Sequence, residues 1–192
     1  MKTKITKESR NLLIGMLLGD GTISNNNVFK IAHAESQKDY LEWKIKQLKE
    51  FGIRNNGVKS YIKTKGYNIN VPVYYTQLNT IPFIKVLRRV CYKEKKIIGN
   101  RKLLNRLGAR EIAIWYMDDG SKDKRRSKGC VLCTNSFTKK DLIEVCKILQ
   151  NKFQLEISIR KNNTLYIKSK SFDHFVSLIK PYIIPSMLYK IQ

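Results

Sequence analysis

Acidic residues are scarce in this chain. Asp and Glu number 15 against 38 Lys and Arg in 192 residues, leaving a formal net charge of +23. That excess is far beyond what solubility needs and is spread along the whole chain, so a polyanion, with nucleic acid first, is the expected partner. Long apolar runs are missing too. The longest near the N-terminus, Leu12 to Leu18, is interrupted by Gly15, ends at Gly19-Asp20, and is followed by no small-residue cleavage site. Neither a bilayer span nor a secretory signal fits it. No stretch pairs a wide apolar helical face with a Lys-rich one, which argues against a membrane partner. An intracellular protein is expected, in an organelle (mitochondrion or chloroplast) or in a bacterial or phage-infected cytoplasm, and its Lys, Asn and Ile richness suits an AT-rich genome.

Cysteine is limited to Cys91, Cys130, Cys133 and Cys146, all expected to be reduced in that setting. Cys130-x-x-Cys133 has no second such pair and no spaced His pair to complete four zinc ligands, so it reads as two residues on a strand. Histidine is rarer still. His33 and His174 are ungrouped and read as structural, and Trp43 and Trp115 read as core residues of helices.

What is present is a pattern written twice. A hydrophobic content of 42% can build a packed core. Each half opens with an apolar helix ending in an acidic-glycine turn, Asn11 to Asp20-Gly21 and Glu111 to Asp119-Gly120. Short strand-like segments follow, around Thr22 to Ala34 and Ser121 to Thr134. Ser36-Gln37-Lys38-Asp39 and Thr138-Lys139-Lys140-Asp141 then read as capping boxes for helices at Tyr40 to Phe51 and Leu142 to Phe153. Alternating segments at Gly57 to Lys63 and Leu155 to Lys168 read as strands, and helices near Ile81 to Cys91 and Phe172 to Ile184 close the halves. The expectation is an α+β fold, αββαββα duplicated with pseudo-symmetry, with halves at 1–95 and 96–192.

Antiparallel sheets covered by helices on one face leave the other to present polar side chains. Two such sheets are expected to form a basic saddle for duplex DNA, with contacts to phosphates and base edges. The candidates are Lys30, Lys59, Tyr61, Lys63, Lys65 and Asn68 in the first half. In the second they are Lys122, Lys124, Arg125, Arg126, Lys128, Ser158, Arg160, Tyr166 and Lys168. Hard cations want oxygen ligands, and a carboxylate at a helix C-terminus sits at the dipole's negative end beside carbonyls that lack intrahelical partners. Asp20 and Asp119 both occupy that place. A single Asp-Gly is an ordinary helix-stop turn, but two in equivalent places of a repeat favour a shared chemical role.

Leu13-Ile14-Gly15-Met16-Leu17-Leu18-Gly19-Asp20-Gly21 and Ile112-Ala113-Ile114-Trp115-Tyr116-Met117-Asp118-Asp119-Gly120 resemble the two signature motifs of single-chain LAGLIDADG homing endonucleases. The second is similar to the intron-encoded, I-SceI-like branch. So are Lys95-Lys96-Ile97-Ile98, with Gly99 where that branch carries Pro, and the runs Asn151 to Leu155, Leu178 to Pro185 and Met187 to Lys190. The resemblance implies two motif helices side by side at the centre and Mg2+, replaceable by Mn2+, held by Asp20 and Asp119 with Gly19 and Asp118 beside them. It also implies Lys96 and Lys190 near the scissile phosphates as catalytic groups. Gly15 and Gly19 suit close helix approach, whereas Ile114 and Asp118 stand at the matching places of the second motif. The implied activity is double-strand cleavage of a long pseudo-palindromic target by a monomer. The alternatives are a maturase of the host intron RNA and a non-catalytic DNA-binding protein of the same fold.

Overall fold

The structure is a computed structural model that describes residues 5–65, 69–123 and 128–192. Asn68, Lys124, Arg125 and Arg126 lie outside the described residues. The chain divides into two compact units, Met1–Arg88 and Arg89–Gln192. The division falls inside a helix, Pro82–Cys91, earlier than the expected joint after residue 95.

In the first unit α1 (Lys7–Leu18) starts at Thr6, whose hydroxyl accepts the Ser9 N–H at 3.1 Å. Leu12, Leu13, Ile14, Met16, Leu17 and Leu18 are all buried, as expected for a helix apolar on every side. Strands β1 (Thr22–Ile23), β2 (Phe29–Ala34), β3 (Lys59–Ile62) and β4 (Pro72–Leu78) form an antiparallel sheet in the order β1-β2-β4-β3. Phe29, Ile31, His33, Thr76 and Leu78 share the face turned to α2 (Lys38–Glu50), which buries Tyr40, Leu41, Lys44, Ile45 and Leu48. The register puts Lys30, Gln77, Tyr75, Lys59, Tyr61 and Val73 on the opposite face. β3 is an edge strand, as β1 is at the other side, and all four of its residues are exposed, so its alternation separates two directions without burying one. Helix α3 (Pro82–Cys91) follows.

The second unit repeats the plan. A short α4 (Arg101–Leu104) precedes α5 (Ala109–Asp119), whose Glu111 carboxylate accepts the Gly108 N–H at 2.8 Å. Strands β5 (Gly120–Lys122), β6 (Cys130–Leu132), β7 (Ile157–Ile159) and β8 (Leu165–Ile167) pair antiparallel in the order β5-β6-β8-β7. Helices α6 (Lys139–Phe153) and α7 (Ser169–Ile179) complete the unit. Both units therefore run αββαββα, the second with the short α4 ahead of it. The expected closing helix to Ile184 stops at Ile179, and two short 3-10 turns, Lys180–Tyr182 and Pro185–Lys190, carry the chain on. Pro181 and Pro185 lack the N–H that a continuing helix requires.

Glycine follows the acidic residue in both motifs for one steric reason. A Cβ on Gly21 would meet the Met16 carbonyl oxygen at 2.5 Å, and one on Gly120 would meet the Tyr116 ring at 2.2 Å. The outgoing strand grazes the last turn of its own motif helix. Neither expected capping box closes, since the Asp141 carboxylate accepts the Gly99 N–H and the Thr138 hydroxyl rather than the Thr138 N–H; Thr138 is a simple N-cap and Ser36 caps nothing. Thr138 Oγ1 accepts the Asp141 N–H at 3.2 Å and its hydroxyl donates to Asp141 Oδ2 at 2.8 Å. Ser36 lies within the 3-10 turn Glu35–Gln37, so Gln37 precedes the helix and no side chain caps it. No helix among the described residues is long and apolar enough to cross a membrane.

Candidate functional site

Asp20 follows α1 with its side chain 42% exposed. Behind it stands His33, buried on the helix-facing side of β2, with Nδ1 3.5 Å from Asp20 Oδ2 and 3.2 Å from Gln37 Oε1. The other ring nitrogen, Nε2, lies 3.0 Å from Nζ of Lys44, which is fully buried and sits 4.2 Å from the centre of the Tyr40 ring. An ammonium donates and cannot accept, so Nε2 is the acceptor and the ring proton sits on Nδ1, toward Gln37 and Asp20. His33 thus does more than fill the core. The strand's period-two burial places it on the inner face, but its approach to Asp20 depends on how far the turn after α1 travels. His174, by contrast, is exposed, with Nε2 2.9 Å from the Phe153 carbonyl oxygen.

Asp119 is the last residue of α5. Its Oδ2 accepts the indole N–H of Trp115, one turn earlier, at 3.1 Å. Trp115 is fully buried as expected, and its N–H is the polar handle that a core reading overlooks. Lys190, 9% exposed, donates to the carbonyls of Met117 at 2.5 Å and Asp118 at 3.3 Å, covering acceptors left open where α5 ends. The Tyr116 hydroxyl donates to the Lys190 carbonyl at 2.8 Å and lies 3.2 Å from Cys130 Sγ. Burial, and then the neighbouring Cys130 thiol, hold the Tyr116 hydroxyl far above its ordinary range, so it remains a donor. Burial also pushes the Cys130 thiol up to about 11.

Lys96, which the resemblance pairs with Lys190, has its ammonium 5.9 Å from the centre of the Phe137 ring and beside the Cys91 thiol. Nearby, the Gly99 N–H donates to Asp141 Oδ1 at 2.9 Å. Proline, which the branch carries at that place, has no N–H to give, so the departure at Gly99 has a partner at the head of α6. Gly19 is buried and offers only its carbonyl, while Asp118 and Asp119 are half-buried. Carboxylate and carbonyl oxygens at the negative end of a helix form a hard donor set that fits Mg2+ or Mn2+ better than a softer metal.

On the open face of the first sheet, Lys30 Nζ lies 4.8 Å from the Tyr61 ring centre and 4.4 Å from that of Tyr75. Lys59 and Lys65 are exposed, and Lys63 is half-buried with its N–H on the Val71 carbonyl at 3.2 Å. On the second sheet Ser158 faces Tyr166 across β7 and β8, with Arg160 further along the same side; Tyr166, expected to contact DNA, is instead buried, with the Arg160 guanidinium over its ring. Lys168 pairs with Glu156 at 3.7 Å and Lys128 with Asp173 of α7 at 2.5 Å. Lys122 departs from its expected place. Its register partner is buried Cys130 and its ammonium lies 5.9 Å from the Phe172 ring centre of α7, so strand parity gives it to the helix-covered face.

Residues 10–175 match the LAGLIDADG DNA endonuclease family. The chain is 30% identical to a probable intron-encoded endonuclease 1 of Wickerhamomyces canadensis over 98% of this chain and 86% of that one. It is 27% identical to the cytochrome b mRNA maturase bI2 of Debaryomyces hansenii over 97% of this chain and 74% of the relative. Among solved structures, the homing endonuclease I-WcaI bound to its DNA recognition sequence matches with a TM-score of 0.82 and 29% identity, over 99% of this chain and 88% of that one.

Proposed function

Since the chain belongs to the LAGLIDADG DNA endonuclease family, we propose that it is a site-specific homing endonuclease that hydrolyses both strands of a long pseudo-palindromic duplex, with divalent cations on Asp20 and Asp119. The observation that carries this reading is the equivalent placement of a carboxylate at the C-terminal end of each motif helix, Asp20 after α1 and Asp119 ending α5. Asp20 and Asp119 would hold Mg2+, or Mn2+ in its place, which when bound would supply neutralisation of phosphate charge and activation of water. The chain's own groups do the rest. Asp20 and Asp119 supply the oxygens, and Gly19 and Asp118 add acceptors beside them. His33 and Trp115 orient the carboxylates from behind. Lys190 and Lys96 bring positive charge toward the reacting phosphate, where a donor aimed at developing negative charge accelerates the step. The open sheet faces bind DNA through Lys30, Lys59, Tyr61, Ser158 and Arg160. Both motifs lie in one chain, so a monomer suffices.

Asp20→Asn and Asp119→Asn test the assignment, because an amide is a poor ligand for a hard cation yet keeps the side chain's shape. Each variant is expected to lose plasmid linearisation in magnesium while binding the target within a few-fold of the parent and melting in EDTA at the same temperature or higher. A variant that is inactive only because it melts several degrees lower would make these aspartates structural helix-end residues and remove the mechanism's main support. A second reading, maturation of the host intron's RNA, is favoured by the likeness to the bI2 maturase. It predicts that splicing assistance survives both substitutions, since RNA binding does not use the carboxylates.

A further inference from the structure

On the open face of the second sheet Arg160 is held in a way that its neighbours are not. Its Nη2 donates to Asp123 Oδ2 at 2.5 Å, and Asp123 is only 7% exposed. Its guanidinium carbon lies 4.2 Å from the centre of the Tyr166 ring, on the adjacent strand. The backbone around it is closed, with the Arg160 N–H on the Thr164 carbonyl at 2.9 Å and the Asn163 N–H on the Arg160 carbonyl at 3.0 Å, where Asn163 turns the hairpin at φ 59°. The Lys168–Glu156 pair on the same sheet differs, since both of its side chains are 49% exposed and 3.7 Å apart, an ordinary solvated contact.

We infer that Arg160, braced by Asp123 and stacked on Tyr166, is a base-reading side chain that specifies guanine at one position of the DNA half-site contacted by the second sheet. The inference rests on the DNA-binding reading above and adds the chemistry of one contact to it. Three physical points carry it. The side chain is 37% exposed and is held in one orientation, so little rotamer entropy remains to be lost on binding. Asp123 takes part of the fork and leaves further N–H groups to be aimed outward, and a guanidinium donates without accepting. In the major groove guanine offers two adjacent acceptors, whereas adenine sets a donor beside its acceptor and thymine sets a methyl beside its own.

The carboxylate also decides between base and backbone. A phosphate approaching Arg160 meets the Asp123 charge and is repelled, so the braced pair is a weaker phosphate anchor than a bare arginine. The neutral edge of guanine meets no such repulsion.

The test is a binding selection on randomised duplex DNA in EDTA, followed by titration of all four base pairs at each position of the second half-site. The parent protein is expected to show one position where guanine is preferred by roughly 10- to 100-fold. Arg160→Ala should bring the four base pairs at that position within about threefold of one another and leave other positions unchanged, because separated positions contribute nearly independently. Arg160→Lys, which keeps the charge beside Asp123 and guards against a folding defect, should weaken the same preference without abolishing it, because an ammonium lacks the planar fork but still donates to guanine. Asp123→Asn should weaken it while raising affinity for arbitrary sequence. Retention of the guanine preference by Arg160→Ala, or a uniform loss across all sequences in that variant, would overturn the inference and leave the endonuclease reading standing. Failure of the parent protein to bind any duplex would overturn both.

Discussion

At the scale of single residues, the two acidic ends are alike in sequence and unlike in support. Asp20 stands near an imidazole backed by a buried ammonium, and Asp119 accepts an indole N–H from its own helix. Buried thiols give this scale a pH dependence. Burial raises Cys91 to about 12 and Cys130 and Cys146 to about 11, against an ordinary 9.0, while Cys133 is exposed. Their folded values lie above the unfolded one, so the folded protein holds protons that the unfolded chain releases above pH 9. The stabilisation is fully present below pH 9 and is lost as pH rises toward 11 to 12. The melting temperature should therefore fall between pH 9 and 11, and less steeply in Cys91→Ala, measured by circular dichroism. Equal slopes in parent and variant would mean that this thiol does not carry the effect.

At the scale of elements, the repeat invites the expectation that equivalent positions do equivalent work, and the helix starts show where that fails. Thr138 is extended and caps α6, whereas the chain before α2 tightens into a 3-10 turn and leaves Ser36 without a capping role. Thr138→Ala should cost about 1 kcal/mol, the usual value for a lost hydroxyl cap. Ser36→Ala should stay within about 0.5 kcal/mol of the parent. Denaturant melts of both variants check the pair, and equal losses would mean that the Ser36 hydroxyl caps α2 in solution. Strand parity shows the same limit. It sorts Lys30, Lys59 and Tyr61 to the open face, but β5 carries too few residues to settle its own register, and pairing with Cys130 turns Lys122 to the helix side.

For the whole molecule the governing quantity is the net charge of +23. If the two open sheet faces together neutralise on the order of ten phosphates, log affinity for the target should fall against log salt with a slope near minus nine. Equilibrium titrations at several potassium chloride concentrations measure it. A slope shallower than about minus three would move the DNA surface away from these faces. Arg160 should contribute little to that slope, since the Asp123 charge offsets its own. Its effect belongs to base preference, and the two measurements separate.

The sequence by itself determined the duplicated order of elements, the acidic pair and the polyanionic partner class. Periodicity, motif spacing and net charge are local or summed properties that need no knowledge of long-range contacts. Only the tertiary structure decided which side chains support those acids. His33 reaches Asp20 from β2, and Lys190 reaches the end of α5 from the C-terminal turn. The bracing of Arg160 by Asp123 joins residues from different strand ends in the same way. Such pairs are distant along the chain and meet because antiparallel strands and helix ends converge in space. No period within the sequence encodes that convergence, since it follows from strand register and from the direction in which each turn leaves its helix.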